Sequence, residues 1–127
     1  NILNATILKM FSWYENIGII LDWYHLKKKC KELLSMAMKG RVVRNEVLNE
    51  LLPLLWQGMT AKAIAYLQEV PDSLIKNPDV MEKLMKYLER NTLYIPCYAI
   101  RKELGLRNSY NGPQNLDRVL SYTQVKN

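Results

Sequence analysis

Apolar residues recur every three or four positions along most of this chain, the spacing of helices with one buried face. In Ile2–Tyr14 the stripe is Leu3, Ile7, Met10, Phe11 and Tyr14. In Trp23–Lys39 it is Trp23, Leu26, Cys30, Leu33, Leu34 and Ala37, which puts Lys27, Lys28 and Lys31 on the opposite side. Val42–Gln57 carries Leu48, Leu51, Leu52 and Leu55, and Pro53 inside it predicts a kink or a break. Ala61–Val70, capped by Thr60, is expected to turn Ala61, Ile64, Ala65 and Leu67 inward. Asn77 as cap and Pro78 as first helical residue open a further helix. That helix buries Met81, Leu84, Met85 and Leu88, with Lys83, Lys86, Arg90, Glu82 and Glu89 outside. Ile95–Leu104 reads as another, with Tyr98, Ala99 and Ile100 partly buried, and Gln114–Tyr122 as a short last one. Gly40, Gly58 and Gly105 stand where helices stop.

One stretch breaks the period. Ile17, Ile19, Ile20 and Leu21 form a short β-branched run that reads as a buried strand. A single strand leaves its ladder groups unpaired, so it needs a partner outside this segment or in a second copy. Asp22 follows as the N-cap of the next helix. The expected fold is therefore mainly α: a single helical domain of about five to seven helices, with at most one or two short strands near residues 17–22.

Composition narrows the class. The 127 residues suit one domain, and 49% hydrophobic with 24% charged residues is ordinary for a folded chain. No apolar run approaches the roughly 20 residues that span a bilayer, so no membrane partner is expected. The first residues lack the plan of a signal peptide, and Cys30 and Cys97 are expected as free thiols in a reducing cytoplasm. The net charge is +6, and its distribution is uneven. Between Lys27 and Arg44 lie seven basic residues against one acid, Glu32. A weaker excess occurs at Arg101, Lys102, Arg107 and Arg118. Localised basic charge points to a polyanion, nucleic acid first, against the plain reading of a solvated helix face.

Candidate chemistry is sparse. Cys30, Cys97 and His25 lack the paired spacing of a zinc site, and no metal site is expected. Cys30 falls on an apolar stripe and reads as packing. No Gly-rich phosphate loop of standard form occurs. Asp22-x-x-His25 has two readings: a helix cap, or a strand-end carboxylate of the kind that ligates Mg²⁺ in phosphoryl-transfer enzymes. One acid cannot hold two metals, so the structural role is preferred. Trp23 and Tyr24 beside the lysines also have two readings, as a stacking platform for nucleic acid or as core and surface.

Three phrases read together carry a resemblance: I-L-D-W-Y-H-L-K-K-K-C, G-M-T-A-K-A-I-A-Y-L, and Y-L-E-R-N-T-L-Y-I-P-C-Y-A-I-R-K-E-L-G-L-R-N-S-Y-N. They resemble the C-terminal half of bacterial insertion-sequence transposases of the DDE class, with an RNase H-like core, in the Mutator-like superfamily. In those proteins a [C/D]-x-x-H motif, matched here by Asp22 and His25, leads into a helical insertion. The similarity covers residues 19–111. It implies that residues 1–22 are a remnant of the RNase H-like core and that residues 23–127 are the insertion region, which supports DNA binding in transposition. The family's catalytic aspartates would lie upstream of Asn1 and its glutamate beyond the chain's end, so a catalytically incomplete fragment is expected. Mg²⁺ is then expected only for the intact parent enzyme. The expected DNA contacts are Lys27, Lys28, Lys29, Lys31, Arg101, Lys102, Arg107 and Asn108, with DNA and a second copy or the missing core as partners. A small helical protein-interaction module without a nucleic-acid role is the alternative.

Overall fold

The structure, a computed structural model, describes residues 19–109. The helices expected at Ile2–Tyr14 and Gln114–Tyr122, and the first half of the expected strand, lie outside them. Five α-helices occur among the described residues: α1 Trp23–Ala37, α2 Arg41–Trp56, α3 Thr60–Gln68, α4 Pro78–Arg90 and α5 Tyr98–Glu103. Two 3-10 turns, Asp72–Leu74 and Thr92–Tyr94, flank α4. No helix among them is long and apolar enough to cross a membrane.

The first four helices neighbour one another in a ring: α1 packs on α2 and α4, and α3 packs on both α2 and α4. Their apolar stripes meet in one core that includes Leu26, Leu34, Leu51, Leu55, Leu67 and Leu88. Burying each such side chain is worth roughly 1.5–3 kcal/mol. The expected stripes of α1 and α4 hold, with Trp23 and Met85 half-buried at their margins. In α3 the face is turned: Ala63 and Leu67 are buried, while Ala61 and Ala65 are exposed. A nine-residue helix gives the period too few repeats to set its phase.

Local chemistry explains the other differences. Pro53 lies inside α2, yet the helix continues to Trp56. Pro53 and Asn49 are both exposed, so water can serve the Asn49 carbonyl that the proline leaves unpaired. Thr60 does not cap α3. It is the first helical residue, buried, after Met59, whose carbonyl accepts the Ala63 N–H. Asn77 makes no side-chain cap either. Its Nδ2 reaches the Met36 carbonyl at 3.3 Å, while the Lys76 and Asn77 N–H groups both donate to the Ala37 carbonyl. The turn before α4 thereby closes the C-terminal end of α1 and sets α4 beside it. The last helix starts at Tyr98 rather than Ile95, because Pro96 forces the residue before it out of the helical region.

Ile19–Leu21 forms no strand, and no strand occurs among the described residues. Leu21 is hydrogen-bonded without a ladder. The Leu21 N–H donates to the Tyr94 carbonyl at 2.7 Å, the Tyr98 hydroxyl donates to the Leu21 carbonyl at 2.6 Å, and the Trp23 N–H donates to the Asn108 carbonyl at 2.8 Å. Groups of Tyr94 and Tyr98 at Leu21, and of Asn108 at Trp23, stand where the β-branched run had implied a neighbouring strand.

Candidate nucleic-acid interface

The start of α1 is anchored by a polar cluster. Asp22 is 5% exposed, and its Oδ1 accepts the His25 backbone N–H and the Ser109 hydroxyl, each at 3.1 Å. This is the N-cap expected of Asp22. Beside it, Arg101 is also 5% exposed. Its Nε donates to Asn108 Oδ1 at 3.1 Å and its Nη2 to the Arg107 carbonyl at 2.6 Å. Asn108 Nδ2 in turn donates to the Tyr98 carbonyl at 2.9 Å. The Trp23 ring packs edge-on against Trp56 at 5.0 Å and tilted against Tyr98 at 4.9 Å. These contacts make the start of α1, the end of α2 and the last loop one unit.

That cluster corrects part of the expected interface. Arg101 is withdrawn from solvent and both side-chain amide groups of Asn108 are engaged inside the protein, so neither is presented to a phosphate. Arg107 is half-buried and contributes its carbonyl to Arg101, while Lys102 is exposed on α5. Among the described residues, no group of three or more His, Cys, Asp or Glu side chains is placed to hold a metal ion.

The lysines of α1 are arranged differently. Positions 24, 27, 28, 31 and 35 share one helical face, and Lys27, Lys28 and Lys31 line an open groove of about 820 Å³ together with Tyr24. Its floor is apolar, formed by Met36 and by Leu48 and Leu52 from α2. Tyr24 is 43% exposed at its head. At the far end Arg44 Nη1 donates to Ser35 Oγ at 2.9 Å, fixing α2 to α1. No ion pair among the described residues engages Lys27, Lys28 or Lys31, whereas Lys86 on α4 is paired with Glu82 at 2.9 Å. Glu32 also lines the groove, so three exposed cations stand there against one carboxylate, and the local field is positive.

Lys29 is not part of this groove. It is half-buried on the α4 side, with its Nζ 5.7 Å from the centre of the Tyr87 ring. Adjacency in the chain hides the 100° turn between successive residues, so the sequence alone does not separate Lys29 from Lys27, Lys28 and Lys31. The mixture of Lys83, Lys86 and Arg90 with Glu82 and Glu89 likewise gives no sign in the sequence that α4 lies beside α1.

No protein-family model matches this sequence, and no curated protein or solved structure is similar to it at a significant level. The functional reading therefore rests on the geometry above and on the phrases that carry the resemblance.

Proposed function

We propose that the chain is the helical insertion region of a DDE transposase and that it holds DNA through the lysine face of α1. The carrying observation is the set of three unpaired, exposed lysines, Lys27, Lys28 and Lys31, along one groove headed by Tyr24. Such contacts bind the phosphate backbone without reading its sequence. The reading of the resembling phrases as one unit is supported by their contacts: Asp22 and Trp23 meet Tyr98, Asn108 and Ser109, and Gly58 abuts Pro96 and Cys97. In this reading Ile19–Asp22 is the junction with the RNase H-like core, and the chemistry belongs to a parent enzyme carrying Mg²⁺. The protein is then cytoplasmic, with DNA and either a second copy or the rest of the transposase as partners.

Fluorescence anisotropy with a labelled DNA duplex tests the binding. The logarithm of affinity should fall linearly with the logarithm of salt between about 50 and 200 mM, and each lost phosphate contact should reduce the slope by about 0.9. The triple variant K27Q/K28Q/K31Q should lose most of the slope. Binding that ignores salt, or no binding, overturns the DNA reading. Sequencing upstream of the coding region tests the parentage: it should encode two strand-end aspartates, and an unrelated upstream frame counts against it.

The groove's apolar floor favours a second reading, a protein-interaction module that takes an amphipathic helix with acidic flanks. Met36, Leu48 and Leu52 would seat its apolar side and the lysines its carboxylates. Absence of DNA binding together with capture of such a peptide would select it.

A further inference from the structure

A second groove lies on the other flank of α1, between it and α4, with a volume of about 460 Å³. Positions 79, 82, 83, 86, 87 and 90 of α4 line it on a single helical face, with Lys29 opposite. Its charge is graded. Asp79 lies in the first turn of α4 and Arg90 in the last, about 16 Å apart at 1.5 Å per residue. Glu82 is neutralised by Lys86. The C-terminal end of the groove therefore holds Lys29 and Arg90 without an opposing carboxylate on the lining. Both cations converge on one ring: Lys29 Nζ is 5.7 Å and the Arg90 guanidinium 6.0 Å from the centre of Tyr87. Both heads lie within cation–π range of the same ring, and the Tyr87 phenol, pushed above its ordinary pKa by burial, is a hydrogen-bond donor at neutral pH.

We propose that Lys29, Tyr87 and Arg90 form a phosphate clasp on the α4 flank, and that a nucleic-acid backbone crosses α1 to reach it. The inference rests on the DNA reading and deepens it. Lys27, Lys28 and Lys31 meet phosphates on the α2 flank, and the clasp meets phosphates on the other. A backbone running along the α1–α2 groove alone would leave the clasp empty. A polyanion lying over α1 engages both flanks, because a helix with its side chains is only about 10–12 Å across.

The test is the salt slope of duplex binding by the full chain, measured for wild type, K27Q/K28Q/K31Q, K29Q/R90Q and K29R/R90K. The clasp predicts that K29Q/R90Q lowers the slope by about two, since each lost phosphate contact removes about 0.9. It also predicts that the charge-keeping K29R/R90K retains the wild-type slope. Thermal melts show whether each variant is folded at the titration temperature. A wild-type slope in folded K29Q/R90Q, with a reduced slope in K27Q/K28Q/K31Q, overturns the clasp and leaves the DNA reading intact. Salt-independent binding by the wild-type chain overturns both. If K29Q/R90Q and K29R/R90K lose the same slope, charge is not what the pair contributes, and the clasp fails.

Discussion

Arg101 and Asn108 hold each other seven residues apart, the guanidinium Nε donating to the amide Oδ1 at 3.1 Å while Nη2 takes the Arg107 carbonyl. A charge buried in this way acts by shaping the last loop, which carries Ser109 to Asp22. Arg101→Ala leaves the Asn108 oxygen and the Arg107 carbonyl short of a donor, at about 1–3 kcal/mol for each unsatisfied group. Both acceptors are half-buried, so urea denaturation should show a loss toward the low end of that range, about 2–3 kcal/mol for the two together, with Arg101→Lys rescuing little, because an ammonium cannot reproduce the two-pronged geometry. Duplex affinity of the folded variant should be unchanged. A stable Arg101→Ala with weakened DNA binding would return this residue to the interface.

Gly58 and Gly105 share a backbone conformation, with φ of +76° and +75°. Their surroundings differ. A Cβ on Gly58 would stand 2.9 Å from the Pro96 carbonyl oxygen and 3.0 Å from the Cys97 nitrogen, whereas one on Gly105 meets nothing within 4 Å. Alanine at either site bears the left-handed penalty of about 1–2 kcal/mol. Gly58→Ala should be worse than Gly105→Ala by a further margin, because the crowding atoms are backbone and cannot swing aside. Equal melting temperatures for the two variants would show that the α2–α3 turn is free to move from the Pro96 strap.

Periodicity carried the long helices well, since Leu26, Leu33, Leu51 and Leu84 each sit where a 3.6-residue repeat puts them. It failed where few residues or distant partners decide. The phase of α3 depends on neighbours rather than on its own short pattern. Ile19–Leu21 has the composition of a strand, but Tyr94 and Tyr98, more than 70 residues away, supply the hydrogen bonds of Leu21. Arg101 and Lys102 look alike in sequence, and one is buried while the other is exposed. The lysine face was visible because charge opposite an apolar stripe needs no tertiary knowledge. The split of Lys29 from Lys27, Lys28 and Lys31 needed the position of α4.

Cys30 is fully buried on the apolar face of α1, and burial alone pushes its thiol from 9.0 up to about 12. Cys97 is half-buried. Near pH 8 a thiol reagent should modify Cys97 first, with Cys30 reacting only as fast as the protein opens. The sign of the pH effect follows from the raised value. Above about pH 9 the unfolded thiol loses its proton while the folded one keeps it, so stability falls as pH rises toward 12. Cys30→Ala should make that alkaline decline shallower, whatever its effect on stability at neutral pH. Rapid labelling of both thiols in the native protein would contradict the packing around α1.

Lys31 tests whether the α1 face is kept for binding or for the fold. It lies four residues after Lys27 and three after Lys28, and like charges at these spacings destabilise a helix by about 0.2–0.5 kcal/mol per pair. No ion pair among the described residues offsets that repulsion. Lys31→Gln should therefore leave the melting temperature unchanged or raise it slightly. The same substitution should lower duplex affinity and reduce the salt slope by about 0.9. A side chain whose removal helps the fold and harms binding is explained by its ligand. A Lys31→Gln protein that melts earlier and binds DNA as before would instead mark the lysine face as a structural surface.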